Sequence, residues 1–337
     1  MAFSVHSRTQ PDVRGLDPTV YVLEYVLEES GSGRAEVWPA LGFNCYRWQI
    51  QRGGQSFELL YQAPDLFQNG RPTRSGIPVL FPFPNRIRDG RFTWHGRTYQ
   101  LPQDDPAKKN AIHGFACRHP WRVESIGADE TCAWITGVFR CSQDGPDSRA
   151  LWPADHEIQL TYRLGAGSLR IEAEVHNPDR VPLPFGLGYH PYFRMPFASS
   201  GTADDCLLTV PARSFWKLEE SLPTGERLPV DASCDLNNPR RFRDLNVDTV
   251  LTDLPAASGA MPERAAIQGV PGATLHLHAG PEFRDLVVFT PPHRQAFCVE
   301  PYTCTSDAIN LQARGIESGW QVLPPGASRR FYVDLRI

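Results

Sequence analysis

From His156 to Leu164 the apolar residues Ile158, Leu160, Tyr162 and Leu164 alternate with Glu157, Gln159, Thr161 and Arg163. After the turn Gly165-Ala166-Gly167 the alternation resumes, with Leu169, Ile171, Ala173 and Val175 set against Arg170, Glu172 and Glu174. Successive side chains of a strand point to opposite faces, so this pattern predicts a hairpin with one face buried and one wet. The C-terminus repeats it, with Phe331, Val333, Leu335 and Ile337 alternating with Tyr332, Asp334 and Arg336. Further strands are expected at Tyr21–Glu28, Phe57–Gln62, Arg91–Leu101, Trp134–Arg140, Thr274–His278 and Leu286–Thr290. No stretch reads as a long amphipathic helix. Longer loops are expected at Ser142–Pro153, Pro196–Asp205 and Thr252–Gly272. Many short strands punctuated by Gly and Pro define an all-β class, a large antiparallel β-sandwich. Strand character is the same on both sides of every loop, so residues 1–337 read as a single domain without an internal repeat.

Composition narrows this picture. The chain has 337 residues, enough to bury a substantial core, and 31 are proline, roughly twice the ~5 % average. That abundance breaks helices and favours turns. A formal net charge of -4 with scattered arginines gives no basic stripe and argues against nucleic acid as a partner. No apolar run reaches the length of a signal peptide or a membrane span, so a cytoplasmic protein without membrane association is expected. The eight cysteines show no C-x-x-C spacing and read as small buried hydrophobes rather than a zinc site or redox pair.

Four segments set polar groups in apolar or glycine-rich surroundings. GIPVLFPFPNRIRDG (Gly76–Gly90) carries Asn85 and Arg86, and NAIHGF (Asn110–Phe115) carries His113. PFGLGYHPYF (Pro184–Phe193) carries His190, and FCVEPYTCTSDAINL (Phe297–Leu311) carries Glu300. An ionisable group in apolar sequence is costly unless paired or used. Taken singly, His113 is more readily a capping or core hydrogen-bonder, and Arg86 an ordinary ion-pair arginine. Glu300 is different, because Cys298, Glu300 and Tyr302 share one strand face at period two. A His and a Glu so placed suggest an acid/base pair meeting in a pocket.

The order of these segments, together with PNRIRDGRFTWHGRTYQL and WPADHEIQLTYRL, resembles the aldose 1-epimerases from about Gly76 to the C-terminus. The first 75 residues fit only loosely. The resemblance implies a β-sandwich whose concave sheet holds a sugar. It implies Glu300 as the catalytic base, His190 as the catalytic acid, and His113, Arg86 and Asn85 as substrate-binding residues. Asp248 in NVDTVL is the best match for a substrate-binding aspartate, with Asp244 and Asp253 close enough in sequence to be confused with it. The implied activity is interconversion of the α and β anomers of an aldose, acting as a monomer or homodimer. A Glu near its reference pKa accepts the proton of the C1 hydroxyl, and a His near 6.5 protonates the ring oxygen. No metal or cofactor is required, and the sequence has no metal-ligand spacing, G-x-G-x-x-G motif or P-loop.

Three rival readings stand beside this one. A hexose-6-phosphate epimerase of the same fold would need cations, and Arg71, Arg74, Arg86 and Arg88 cluster in sequence. A non-catalytic carbohydrate-binding protein would need the cleft but not both Glu300 and His190. A glycosidase would need two carboxylates flanking the bond. The departures PVLFPFPN and Thr252–Gly272 leave the preferred sugar open, and the neutral aldose is favoured over the phosphate ester.

Overall fold

A computed structural model describes residues 2–27, 31–198, 201–256, 259–269 and 273–337. Antiparallel ladders dominate it, as the alternation requires. The hairpin pairs Glu157–Gly165 with Ser168–His176 in the register Leu160↔Ala173, and Ser168–His176 pairs in turn with the C-terminal strand Ser328–Arg336. These strands lie within a nine-stranded sheet that runs from Arg122–Ala128 at one edge to Arg240–Arg241 at the other. Ile158, Leu160, Tyr162, Ile171, Phe331 and Val333 are all fully buried, in agreement with period two.

The second large sheet positions the cleft. It runs in the order Leu222–Pro229, Ser214–Glu219, Asp248–Thr252, Asp285–Phe289, Ala296–Tyr302, Gly188–Tyr189 and Val79–Leu80, and Tyr192–Arg194 also pairs with Ala296–Tyr302. Its central strands Asp285–Phe289 and Ala296–Tyr302 have no exposed residue, whereas the edge strand Leu222–Pro229 is partly open to solvent. One face sends Leu286, Val288, Phe297 and Val299 into the main core, where they join Leu160, Ile171 and Phe331 of the nine-stranded sheet. The other face carries Val287, Phe289 and Glu300 to the cleft. A one-residue slip in any of these strands would exchange the two sets.

A third sheet, anticipated by sequence only at Tyr21–Glu28 and in part at Phe57–Gln62, is a five-stranded meander of Ala2–Thr9, Thr19–Leu27, Gly31–Trp38, Asn44–Arg52 and Gln55–Glu58. Its Leu23, Val37 and Trp48 belong to the same core as the other two sheets. Glu28 lies outside the described residues.

Three expectations need correction. The presumed loop Thr252–Gly272 contains the strand Glu263–Gln268, interior to the nine-stranded sheet between Thr274–Ala279 and Leu207–Thr209. Its buried residues Ala265 and Ile267 give a weak apolar signal, and Pro262 and Gly269 bracket it. Residues 257–258 and 270–272 of that segment lie outside the described residues. The expected strand Arg91–Leu101 is a hairpin of Arg91–Trp94 and Arg97–Gln100, turned at His95-Gly96. Ser142–Pro153 is partly helical, because Cys141–Asp144 and Pro146–Arg149 each form one turn. Pro196–Asp205 ends in a 3-10 turn, Ala203–Asp205, and its residues 199–200 lie outside the described residues. The longest helix among the described residues is Ala308–Ala313, and none is long and apolar enough to cross a membrane. Of the eight cysteines, seven are buried and Cys132 is half-buried.

Candidate active site

Strand Ala296–Tyr302 sets Glu300 on the cleft face, where its neighbour Val287 of the adjacent strand also points. His190 arrives from the next position in the sheet. Its segment is pinned by main-chain bonds from His190 N–H to the Pro78 carbonyl and from Tyr192 N–H to the Gly76 carbonyl. Gly188 packs against Tyr302 so closely that an added Cβ would meet the ring at 2.5 Å, so glycine is needed there. The result brings His190 Nε2 to 3.2 Å from Glu300 Oε1, with the two residues 7 % and 1 % exposed. The Tyr192 ring stacks on His190 at a centroid distance of 4.5 Å, and its hydroxyl lies 3.4 Å from Nε2.

His113 stands across from this pair, its ring 5.5 Å from that of His190. It is held by its N–H on the Asn85 carbonyl at 2.8 Å, with a left-handed backbone (φ 64°). Gly114 also has positive φ, and a side chain there would collide with the Phe81 carbonyl. The IHG sequence thus turns sharply over the Phe81–Asn85 segment. Asn85 accepts a hydrogen bond from Arg86 Nη1 at 3.1 Å and another from Ser306 Oγ at 3.2 Å. Arg86 Nε lies 3.5 Å from Asp105.

These groups line one cleft of about 700 Å³, together with Arg71, Arg74, Asp104, Lys108, Arg118, Asp248 and Phe289. All six residues singled out for the site by sequence are therefore brought together. The three candidate aspartates differ in position. Asp248 lines the cleft; Asp244 lies beside Arg243 at the surface, and Asp253 pairs with Arg227 at the far end of the same strand. Arg88 does not join Arg71, Arg74 and Arg86 in the cleft, since its Nε faces Asp307 at 3.8 Å.

The electrostatics differ from the expectation of ordinary pKa values. Burial is the largest influence on Glu300 and pushes it well above the usual carboxylate range; nearby Asp248 adds to this, while the Tyr302 hydrogen bond and Arg86 oppose it. Burial likewise drives His190 down to about 3, and with the cations around it holds His113 well below 6.5. A 3.2 Å ion pair would favour both charges, but two buried charges cost more than this single contact returns. Across the middle pH range the pair therefore holds one proton between Oε1 and Nε2. Desolvation by the cleft wall raises Asp248, with Arg86 lowering it, although its side chain remains open to solvent. Asp105 behaves oppositely: burial raises it, but N–H donors from Asn110 and Lys109, the Asn110 amide and Arg86 outweigh that and keep it ionised.

Several lining residues escaped sequence reasoning, among them Tyr192, Asp104, Asp105, Lys108 and Arg118. Tyr192 was legible in principle, two residues after His190 on a strand. Asp104, Asp105 and Arg118 were not, because they come from loops and a short turn without periodicity.

The structure thus sets a buried carboxylate–imidazole pair at the base of a polar cleft on one sheet of an antiparallel sandwich. The sequence profile described as aldose 1-epimerase matches residues 29–336, and the chain belongs to that family. Among curated relatives, the YihR protein of Escherichia coli K12 is 26 % identical over 264 residues, 75 % of this chain and 79 % of that protein. The galactose mutarotase of Mus musculus is 30 % identical over 164 residues, covering 46 % of this chain and 43 % of the mouse protein. Among solved structures, a galactose mutarotase-like protein from Clostridium acetobutylicum has a TM-score of 0.83 at 22 % identity, covering 99 % of this chain and 98 % of the other. The galactose 1-epimerase of Lactobacillus acidophilus has a TM-score of 0.73 at 17 % identity, covering 100 % and 98 %.

Proposed function

We propose that the chain interconverts the α and β anomers of a free aldose. The observation that carries this reading is the 3.2 Å contact between His190 Nε2 and Glu300 Oε1 at the base of a polar cleft. The two oxygens on C1 of a cyclic sugar, the hydroxyl and the ring oxygen, share one carbon, so two groups this close can reach both. Glu300 takes the hydroxyl proton as the ring oxygen receives one from His190. The C1–O5 bond breaks and C1 becomes an aldehyde. Rotation about C1–C2 presents the other carbonyl face, and reclosure returns both protons. Each general acid or base step is worth on the order of 10²–10⁴-fold.

The shared proton suits this cycle. A neutral acid–imidazole pair and a carboxylate–imidazolium pair contain the same number of protons, so the reactive form arises by moving one proton along an existing hydrogen bond. Arg86, Asn85, His113 and Asp248 supply donors and acceptors for the remaining hydroxyls. A purely binding cleft would have no use for two uncompensated ionisable groups bonded to each other.

Polarimetry on freshly dissolved α-anomers tests the reading. Glu300→Gln and His190→Asn should each reduce kcat by several orders of magnitude while leaving the circular dichroism and melting transition in place. Turnover within tenfold of wild type in either variant would overturn the assigned role. A second reading has one observation in its favour, since Arg71, Arg74, Lys108 and Arg118 stand on the cleft wall. It makes a sugar phosphate the substrate, and the same assay with phosphate esters separates the two.

A further inference from the structure

Cys298 lies two residues before Glu300 on the same strand face and pairs in register with Tyr192, itself two residues after His190. It is fully buried, packed with Tyr61 and Tyr192 behind the cleft lining. One ligand atom each from His190, Cys298 and Glu300 lie within 4.8 Å of one another, and all three residues are buried. We propose that His190, Cys298 and Glu300 form a binding site for a thiophilic divalent cation of the Zn²⁺ class, and that its occupation silences the pair.

The geometry favours this ion type. Zn²⁺ binds sulfur at ~2.3 Å and imidazole nitrogen or carboxylate oxygen at ~2.0–2.2 Å, so tetrahedral ligand atoms stand about 3.5 Å apart. The His190–Glu300 edge is already 3.2 Å. The other edges, at most 4.8 Å, exceed that spacing by no more than about 1.3 Å. Glu300 and His190 face the cleft, which leaves the fourth position for water. A thiolate and an imidazole suit Zn²⁺, whereas Mg²⁺ and Ca²⁺ require more oxygen ligands than these residues offer. Asp248 is near enough to act electrostatically on both Cys298 and Glu300, and its negative charge favours a bound cation.

Binding balances as an exchange of one metal for two protons. The Cys298 thiol loses one, and the proton shared by His190 and Glu300 is the other. The ion then sits on the two groups that the proposed catalysis uses, so it inhibits. Only this inhibition rests on the proposed function; the metal site does not.

The test uses the full chain after chelator treatment, with Co²⁺ as probe. Expected are a thiolate-to-cobalt charge-transfer band, release of protons on binding, displacement by Zn²⁺, and loss of mutarotation on addition of Zn²⁺ but not Mg²⁺. Cys298→Ser should abolish the band and weaken Zn²⁺ inhibition about 100-fold or more, since even outer-shell changes cost 10–100-fold. Its metal-free turnover should stay near that of the wild type. Cys298→Ala gives the same comparison should the serine variant fold poorly. Absence of the band, or equal Zn²⁺ sensitivity in wild type and both variants, would overturn the site. A protein with the band and proton release but no mutarotation supports the site and removes the functional reading instead.

Discussion

The Tyr302 hydroxyl donates a 2.5 Å hydrogen bond to Glu300 Oε2, two residues earlier on the same strand face. Glu300 is thus held at both ends, Oε1 by His190 and Oε2 by Tyr302. The bond favours the ionised carboxylate and works against the burial that raises Glu300. Tyr302→Phe keeps the ring against Gly188 and removes the hydroxyl, which donates to Glu300 and also meets the Asn85 side chain. A hydrogen bond to a charged group contributes about 1.5–3 kcal/mol, so kcat should fall roughly 10- to 100-fold with little change in KM. Without its donor Glu300 rises further, and the alkaline limb of the pH profile should move up. Unchanged kcat and pH profile would leave Tyr302 a packing residue.

The pH dependence of kcat/KM distinguishes this site from a pair with ordinary values. Unperturbed groups acting as carboxylate and imidazolium would give a bell between about 4.3 and 6.5. Here burial takes His190 down to about 3 and raises Glu300. The pair therefore keeps its single proton from far below the normal histidine range to above the normal carboxylate range. Activity should be flat through neutrality, falling in strong acid when both groups protonate and in alkali when the shared proton leaves. A bell centred near pH 5.4 would show the groups unperturbed.

The face of Glu300 was legible because period two sets Cys298, Glu300 and Tyr302 together on one side of their strand. Phe297 and Val299 face the core, while Cys298, Glu300 and Tyr302 face the other way, as the alternation requires. Convergence of Glu300 with His190 was expected only through resemblance and local context, because register across strands is not written in either segment. Glu263–Gln268 was hidden by its two alanines and its flanking Pro and Gly, which gave a sheet strand the composition of a loop. The shifted pKa values were equally invisible. They depend on burial by Tyr192, Phe289 and the cleft walls, which residues distant in sequence supply.

His156 provides a stability prediction outside the cleft. It is fully buried among Phe81, Phe115 and Phe139, with Nδ1 on the Ala154 carbonyl at 3.2 Å and Nε2 unpartnered among the described residues. Burial lowers it to about 4. The unfolded chain binds this proton first, near 6.5, so the contribution is intact above 6.5 and lost as pH falls towards 4. At about 1.4 kcal/mol per pH unit the loss reaches roughly 3 kcal/mol. Denaturant titrations between pH 7 and 4 should show this slope, and His156→Gln should flatten it by about that amount. An identical slope in the variant would assign the acid sensitivity elsewhere.

The cations of the cleft decide between neutral and anionic sugars. Arg86 and Arg118 already face carboxylates, Asp105 at 3.5 Å and Asp104 at 3.0 Å. Arg71, Arg74 and Lys108 are exposed at the rim, where a charge interacts weakly because water screens it. With a neutral aldose as substrate, Arg86→Ala should lower kcat/KM strongly, since it removes a donor among the buried polar groups. Arg74→Ala should then change kcat/KM by less than about fivefold, the ceiling set by roughly 1 kcal/mol for an exposed charge. With a phosphate ester as substrate, the ester would be preferred over glucose or galactose. That preference would collapse in Arg74→Ala and fade as salt shortens the screening length to about 10 Å at 0.1 M. We expect the first pattern, because Arg71, Arg74 and Lys108 are exposed to solvent, where their charges are screened. Measuring kcat/KM for glucose, galactose and glucose 6-phosphate at two salt concentrations separates the outcomes, and a salt-sensitive win for the ester would reassign the substrate.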